Sequence, residues 1–360
     1  MTTVSTLPAK PDSPARVTVI LSSYNHSKYL RESIESVLNQ TYTQFDLVIW
    51  DDASTDDSWQ IISGYQDSRI RAFRNSVNLR DSYRLAMRTY KDFREFVAIH
   101  HSDDAWEPDK LRKQVELLDA QSQVGAVFTR VRVVNETGGD FANRSHPYAT
   151  IFEQGNKSRH DWLRQFFLRG NCLCHPSVLM RKSVYDALGG YRNGLAQLSD
   201  LDLWIRICMR ADIHILDERL TRFRVRDDEA NMSGNRADSR MRLRFETLKV
   251  MDSFLAFQTA ADFNKVFAKE WKDGVLSDRE IPYALARILL QFKPFDGANL
   301  FALNLLFREL NSAESASLMQ ERFGFSHADF MNLSGSHETG IGVSRALGIG
   351  NLNTYSFRTN

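Results

Sequence analysis

Three cysteines in 360 residues, Cys172, Cys174 and Cys208, are too few for the disulfide framework that holds a small secreted domain together, and they suit a reducing compartment. The spacing Cys172-x-Cys174-His175 lacks the second cluster that would complete a four-ligand zinc site, so buried free thiols are expected. An excess of one charge is also missing. With 46 Lys and Arg against 45 Asp and Glu, the net charge of +1 offers no footprint for nucleic acid or another polyanion. No apolar run reaches the length of a bilayer span. Residues 1 to 15 hold prolines and polar residues without the apolar stretch of a signal peptide, and they read as a disordered leader. Cytoplasmic placement is therefore expected, with peripheral contact at the inner membrane face left open. The charges that matter for function must be local.

What is present is length and alternation. A chain of this size holds one large domain plus an appendage. From Val17 short apolar runs alternate with amphipathic helical stretches: Val17 to Leu21 as a strand, then Leu30, Ile34, Val37 and Leu38 on one helix face. A strand ending at Trp50 and a helix bearing Trp59, Ile62 and Tyr65 follow. Further strands are expected at Arg69 to Phe73, up to His100 and at Gly125 to Val134, with helices at Asp81 to Tyr90 and after Pro108. This pattern predicts an α/β fold, a mostly parallel sheet flanked by helices, whose ligands bind beyond the carboxyl ends of the strands. Residues 135 to 158 read as a polar insertion or flexible loop over that edge, and helices are expected at His160 to Leu168 and Asp200 to Met209 around a Gly189-Gly190-Tyr191 turn. Beyond about Asn235 the composition turns helical, and from Ser334 it turns rich in Gly, Ser and Asn.

Two strands empty into paired carboxylates. Leu47-Val48-Ile49-Trp50 runs into Asp51-Asp52, and Phe96-Val97-Ala98-Ile99 runs through His100-His101-Ser102 into Asp103-Asp104. Carboxylates at a strand end are hard oxygen ligands for Mg²⁺ or Mn²⁺ shared with substrate phosphates. The competing reading is helix capping, for which Asp ahead of a proline-led helix is suited.

Val19-Ile20-Leu21-Ser22-Ser23-Tyr24-Asn25, Ser36 to Tyr42, Asp51 to Asp56, Ser102-Asp103-Asp104 with Pro108 to Leu111, His175 to Val178 and Ser199 to Trp204 together resemble glycosyltransferase family 2. The resemblance covers about Val17 to Ser233. It implies a GT-A fold, Rossmann-like, over residues 16–235; outside it, composition predicts a helical region at 236–333 and a flexible tail at 334–360. It also implies transfer of a sugar, with inversion, from a nucleoside-diphosphate donor, a UDP- or dTDP-sugar, to a glycan or lipid-linked acceptor in surface polysaccharide biosynthesis. By resemblance, Ser22 and Tyr24 line the base and ribose pocket, Asp52 accepts a hydrogen bond from the base, and Asp51 is its capping or orienting neighbour. Arg80 or Arg84 reaches the base or diphosphate, Ser102 and Asp103 lie against the donor, Asp103 ligates Mg²⁺ or Mn²⁺, and Asp104 supports it. Asp200 is the catalytic base, with Asp202 its rival, while His175 and Trp204 line the acceptor side, His175 having a core role as its alternative.

Three positions depart from the family pattern. His101 stands where an Asp is common, and it can face the ribose, face a water of the metal shell or fill space. Ser199 stands where Glu is usual. Arg226, in the closing segment Arg224-Val225-Arg226 to Ser233, replaces a common His; a guanidinium has no lone pair for a metal, so its expected role is clamping the diphosphate. No Gln-x-x-Arg-Trp motif of processive members occurs, which favours single-sugar transfer. The alternatives are a catalytically silent sugar-binding module and a nucleotidyltransferase, although Ser22 to Ser27 lacks the glycine-rich loop the latter needs. The C-terminal helices are candidates for a homo-oligomer interface.

Overall fold

The computed structural model describes residues 15–227, 237–292 and 297–336. Residues 1–14 of the expected leader, all but the first residues of the expected tail, and Asn231 to Ser233 lie outside the described residues; Ala15, the last residue of the expected leader, is buried. The chain divides into two compact units, residues 1–242 and 243–360.

The first unit is built on eight strands: Val17–Ser23 (β1), Phe45–Asp51 (β2), Ile70–Arg74 (β3), Phe96–His101 (β4), Ala105–Trp106 (β5), Val124–Val134 (β6), Leu179–Arg181 (β7) and Asp212–Arg224 (β8). They form one sheet in the order β3-β2-β1-β4-β7-β6-β8-β5. β1 to β4 pair in parallel, β7 is antiparallel to both its neighbours, β6 and β8 are parallel, and β5 is antiparallel to β8. The helices are Ser27–Leu38 (α1), Ser58–Ser63 (α2), Ser82–Thr89 (α3), Lys110–Ala120 (α4), Arg159–Arg169 (α5), Lys182–Ala187 (α6), Ser199–Cys208 (α7) and Ala237–Met251 (α8), the last running across the division.

β1 and β2 are buried along almost their whole length, as expected for strands inside a covered parallel sheet. Val17, Val19 and Leu21 of β1 point to one face and meet Leu30, Ile34 and Val37 of α1 and Leu111, Val115 and Leu118 of α4 in one core cluster. The period of two in the strand and of three to four in the helices sets this meeting. Residues 135–158 are not loose: Phe141, Tyr148 and Phe152 pack on Val131, Cys174, Phe223 and Val225. The Gly189-Gly190 turn has φ of 74° and 72°, and a Cβ at Gly190 would stand 2.7 Å from the Tyr185 hydroxyl. Glycine is thus required there on two counts.

The second unit is helical: Ala260–Phe267 (α9), Ile281–Phe292 (α10), Ala298–Leu310 (α11), Ala313–Phe323 (α12) and His327–Ser336 (α13). Ser334 to Ser336, expected in the tail, end α13. Phe263 and Phe267 of α9, Leu285 and Leu289 of α10, and Phe301 and Leu305 of α11 are buried. Among the described residues, no helix is long and apolar enough to cross a membrane.

Candidate active site

Register brings the two acidic strand ends together. Ser22 of β1 is paired with Trp50 on one side and His101 on the other, so Asp51-Asp52 and His101 to Asp104 flank β1 at the carboxyl edge of the sheet. The loops after β1 and β2 are tied to each other: Asn25 N–H donates to Ser54 Oγ at 3.0 Å, and Thr55 N–H donates to Asn25 Oδ1 at 2.8 Å. Both turns hold a residue in the left-handed region, Asn25 at φ 51° and Ala53 at φ 61°. For alanine this conformation costs on the order of 1 kcal/mol.

The first pair divides its work. Asp51 is fully buried; its carboxylate accepts from Ser54 N–H at 3.0 Å and faces Arg74 Nε at 3.3 Å, the capping and orienting role. Asp52 Oδ1 accepts from Asn75 Nδ2 at 2.6 Å and from Leu79 N–H at 2.9 Å, which fixes the buried carboxylate just past the end of β2.

The second pair forms a cluster. His101, Asp103 and Asp104 each offer a ligand atom, all within 4.8 Å of one another. Asp104 Oδ1 accepts from the backbone N–H of Arg224 at 2.8 Å, whereas Oδ2 is buried without a hydrogen bond. Burial, and then the neighbouring Asp103 carboxylate, push Asp104 well above the usual carboxylate range. A buried, unsatisfied carboxylate oxygen beside a second carboxylate and an imidazole is what a divalent cation would satisfy, and the oxygen-rich set with one nitrogen suits Mg²⁺ or Mn²⁺. These residues fit the expected ion.

Two arginines from the end of β8 close over this turn. Arg224, 3% exposed, donates from Nε to Asp103 O at 2.8 Å, from Nη1 to Glu136 O at 2.9 Å and from Nη2 to Glu32 at 2.6 Å. Arg226 donates to His26 Nε2, and His26 Nδ1 meets Ser102 Oγ at 2.8 Å. His26, Arg224 and β8 itself drew no assignment from the sequence. The signals were a histidine just past the β1 strand end and an arginine two residues ahead of Arg226.

Asp200 is half-buried at the start of α7; its Oδ2 accepts from Asn171 Nδ2 at 2.7 Å and its Oδ1 from Leu201 N–H at 2.7 Å. Asp202 is fully buried and bound to Arg206 at 2.6 Å and Arg192 at 2.9 Å, an ion-pair role that leaves it inside the fold. Ser199, in place of the usual Glu, is buried and shares a short hydrogen bond with the Tyr83 hydroxyl, whose pKa burial pushes up to about 12.

Three expected contacts need correction. Trp204 is fully buried, edge-on to Phe128 at 4.8 Å, so it belongs to the core and does not face a ligand. His175 is 9% exposed, with Nε2 on the Tyr191 hydroxyl at 2.8 Å and its ring against Tyr83 and His101, which is the core role. The Arg84 guanidinium is spent on Asp81 and the Leu195 carbonyl and is buried. Arg80, by contrast, is exposed at φ 54° on the loop before α3. All three cysteines are buried free thiols.

The family described as Glycosyl transferase family 2 matches residues 18–189. EpsE of Bacillus subtilis (strain 168) is 31% identical over 200 residues, covering 54% of this chain and 67% of EpsE. The O-antigen biosynthesis glycosyltransferase WbnJ of Escherichia coli is 27% identical over 225 residues, 60% of this chain and 82% of WbnJ. The crystal structure of S. aureus TarS 1–349 in complex with UDP-GlcNAc superposes with a TM-score of 0.54 at 18% identity, covering 92% of each chain, which shows the shared GT-A fold. Sheet, site and relatives agree: this chain is a glycosyltransferase and belongs to glycosyltransferase family 2.

Proposed function

We propose that the enzyme is an inverting, metal-dependent glycosyltransferase that moves one sugar from a UDP- or dTDP-sugar to a hydroxyl of a glycan or lipid-linked acceptor, in surface polysaccharide biosynthesis at the cytoplasmic side of a membrane. The observation that carries this reading is the shared edge of β1, β2 and β4, where Asp52, Ser22 and the His101, Asp103, Asp104 cluster line up. The relative WbnJ, named for O-antigen biosynthesis, supports the polysaccharide setting.

On this reading Asp52 accepts the imide N–H of the base, a charge-assisted bond that discriminates among bases, with Ser22 and Tyr24 around the ribose and Arg80 within reach of the donor. His101, Asp103 and Asp104 hold Mg²⁺ or Mn²⁺, which when bound neutralises charge on the diphosphate as a Lewis acid. Ser102 and Arg226 add hydrogen bonds and positive charge on the same side. Asp200 takes the proton of the acceptor hydroxyl as its oxygen attacks the anomeric carbon. The bond to the diphosphate oxygen breaks on the opposite face, so configuration inverts. Asn171 and the Leu201 N–H hold the carboxylate in line for this step.

A thermal-shift screen of nucleotide sugars with Mg²⁺ and Mn²⁺ tests the reading, because a ligand bound only by the native state raises its melting temperature. UDP- or dTDP-sugars with metal should raise it, and the sugar released or transferred should carry inverted anomeric configuration by NMR. A silent binding module would show the shift without any product.

A further inference from the structure

Tyr283, Arg287 and Gln291 stand one turn apart on α10 and therefore share one helix face. That face lines a cavity of about 710 Å³ within the helical unit, together with Asp273, Phe323 and Asp329. The volume is that of a small-molecule site.

Among the described residues, none of the three helix side chains makes a hydrogen bond within the protein. Arg287 Nε is buried without a partner, and the closest carboxylate oxygen, on Asp273, lies 3.9 Å from Nη2, beyond hydrogen-bond distance. The guanidinium is half-buried and ion-paired with Asp273 through Nη2, but buried donors are normally satisfied, so the Nε without a partner beside this cavity points to a ligand.

The chemistry of the lining selects the ligand class. Two arginines, Arg287 and Arg322, face two aspartates, Asp273 and Asp329, so formal charge cancels. Arg322 is already held by Glu280 at 3.2 Å and the Val275 carbonyl at 2.8 Å, and Asp329 by the Ser326 N–H and hydroxyl, which leaves Arg287 and Asp273 as the charged groups with free hydrogen-bonding capacity. A lining without net positive charge gives a phosphate no electrostatic attraction. Hydroxyl groups, each both donor and acceptor, match a set that mixes guanidinium, amide, phenol and carboxylate. The half-buried Phe323 ring, stacked on Tyr283 at 4.4 Å and 15° with the Arg322 guanidinium 5.8 Å from its centroid, adds an aromatic wall on which a pyranose can pack.

We propose that this cavity is a saccharide-binding site that takes a neutral pyranose or short neutral oligosaccharide. In an enzyme that glycosylates a glycan, such a site raises the effective concentration of the acceptor chain; that consequence rests on the proposed function, whereas the site does not.

The test is binding of the full-length protein to an array of neutral and acidic oligosaccharides, followed by calorimetry on the glycans retained. At least one neutral glycan should bind, and Tyr283→Phe and Arg287→Met should each weaken it about tenfold with unchanged thermal melting. Binding should persist in Asp103→Ala and Asp200→Asn. An array with no glycan retained, or with only acidic glycans retained, overturns the proposal. So does neutral-glycan binding that survives both cavity variants but is lost in Asp200→Asn, an outcome that would leave the catalytic reading standing.

Discussion

Arg226 Nη1 donates to His26 Nε2 at 3.0 Å, and this bond fixes the tautomer of a histidine that touches Ser102 in the turn after β4. A guanidinium can only donate, so Nε2 holds the lone pair and the proton sits on Nδ1, directed at Ser102 Oγ 2.8 Å away. The ring thereby orients Ser102 and Arg226 together. His26→Ala should leave the fold intact and weaken nucleotide-sugar binding roughly tenfold by calorimetry, the size expected for losing one hydrogen bond to a charged group. His26→Asn, which can still accept and donate, should recover part of the loss.

Arg224 binds the Asp103 carbonyl, the Glu136 carbonyl and Glu32 from a buried position, so it ties the turn after β4 to the end of β6 and to α1. Arg224→Met strands these acceptors and should destabilise the fold by about 3 to 5 kcal/mol in urea unfolding. Arg224→Lys should recover little, because one ammonium cannot reach three separated acceptors.

Asp200 and Asp202 lie two residues apart in α7 and should behave oppositely. Asp200→Asn should lower kcat by roughly a hundred- to ten-thousand-fold with donor affinity unchanged. Asp202→Asn breaks the ion pairs with Arg192 and Arg206 and should appear first as lost stability. Measuring kcat, donor Kd and the unfolding midpoint on both variants separates the roles.

His100 and His175 predict an acid limit to stability. Burial, reinforced by Lys110 for His100 and by His101 and Arg84 for His175, holds both well below the ordinary 6.5. Folded, they stay neutral; unfolded, they take up protons as pH falls through about 6.5. Their contribution is therefore present in full above that value and is lost below it, by up to about 1.4 kcal/mol per pH unit for each histidine. Urea unfolding between pH 5 and 8 should show this decline, and His175→Phe should reduce its slope.

The legible part of the fold is the part written locally. Apolar runs ending in Asp51-Asp52 and Asp103-Asp104 gave strand, edge and acidic site together, because a parallel strand buried on both faces leaves an uninterrupted signature. β8 left none: its Ile213, Ile215, Leu220 and Phe223 are interleaved with Asp, Glu and Arg, and the strand exists through its ladder with β6, far away in sequence. β5 and β7, of two and three residues, are likewise set by their partners. Trp204 and His175 were misplaced for a related reason. A polar-tipped aromatic on an amphipathic segment looks the same whether its tip meets ligand or, as for His175, the Tyr191 hydroxyl. The division of labour expected between Asp51 and Asp52 is matched by their different partners, Ser54 and Arg74 for Asp51 and Asn75 and Leu79 for Asp52.

The central claim is that the cluster of His101, Asp103 and Asp104 holds a cation that donor binding needs. Calorimetric titration of UDP- and dTDP-sugars into the wild-type enzyme and Asp103→Ala, with Mn²⁺ and then with EDTA, tests it most directly. The account predicts binding of at least one donor with Mn²⁺, lost or weakened at least tenfold both by EDTA and by Asp103→Ala; donor binding that is indifferent to both would contradict it.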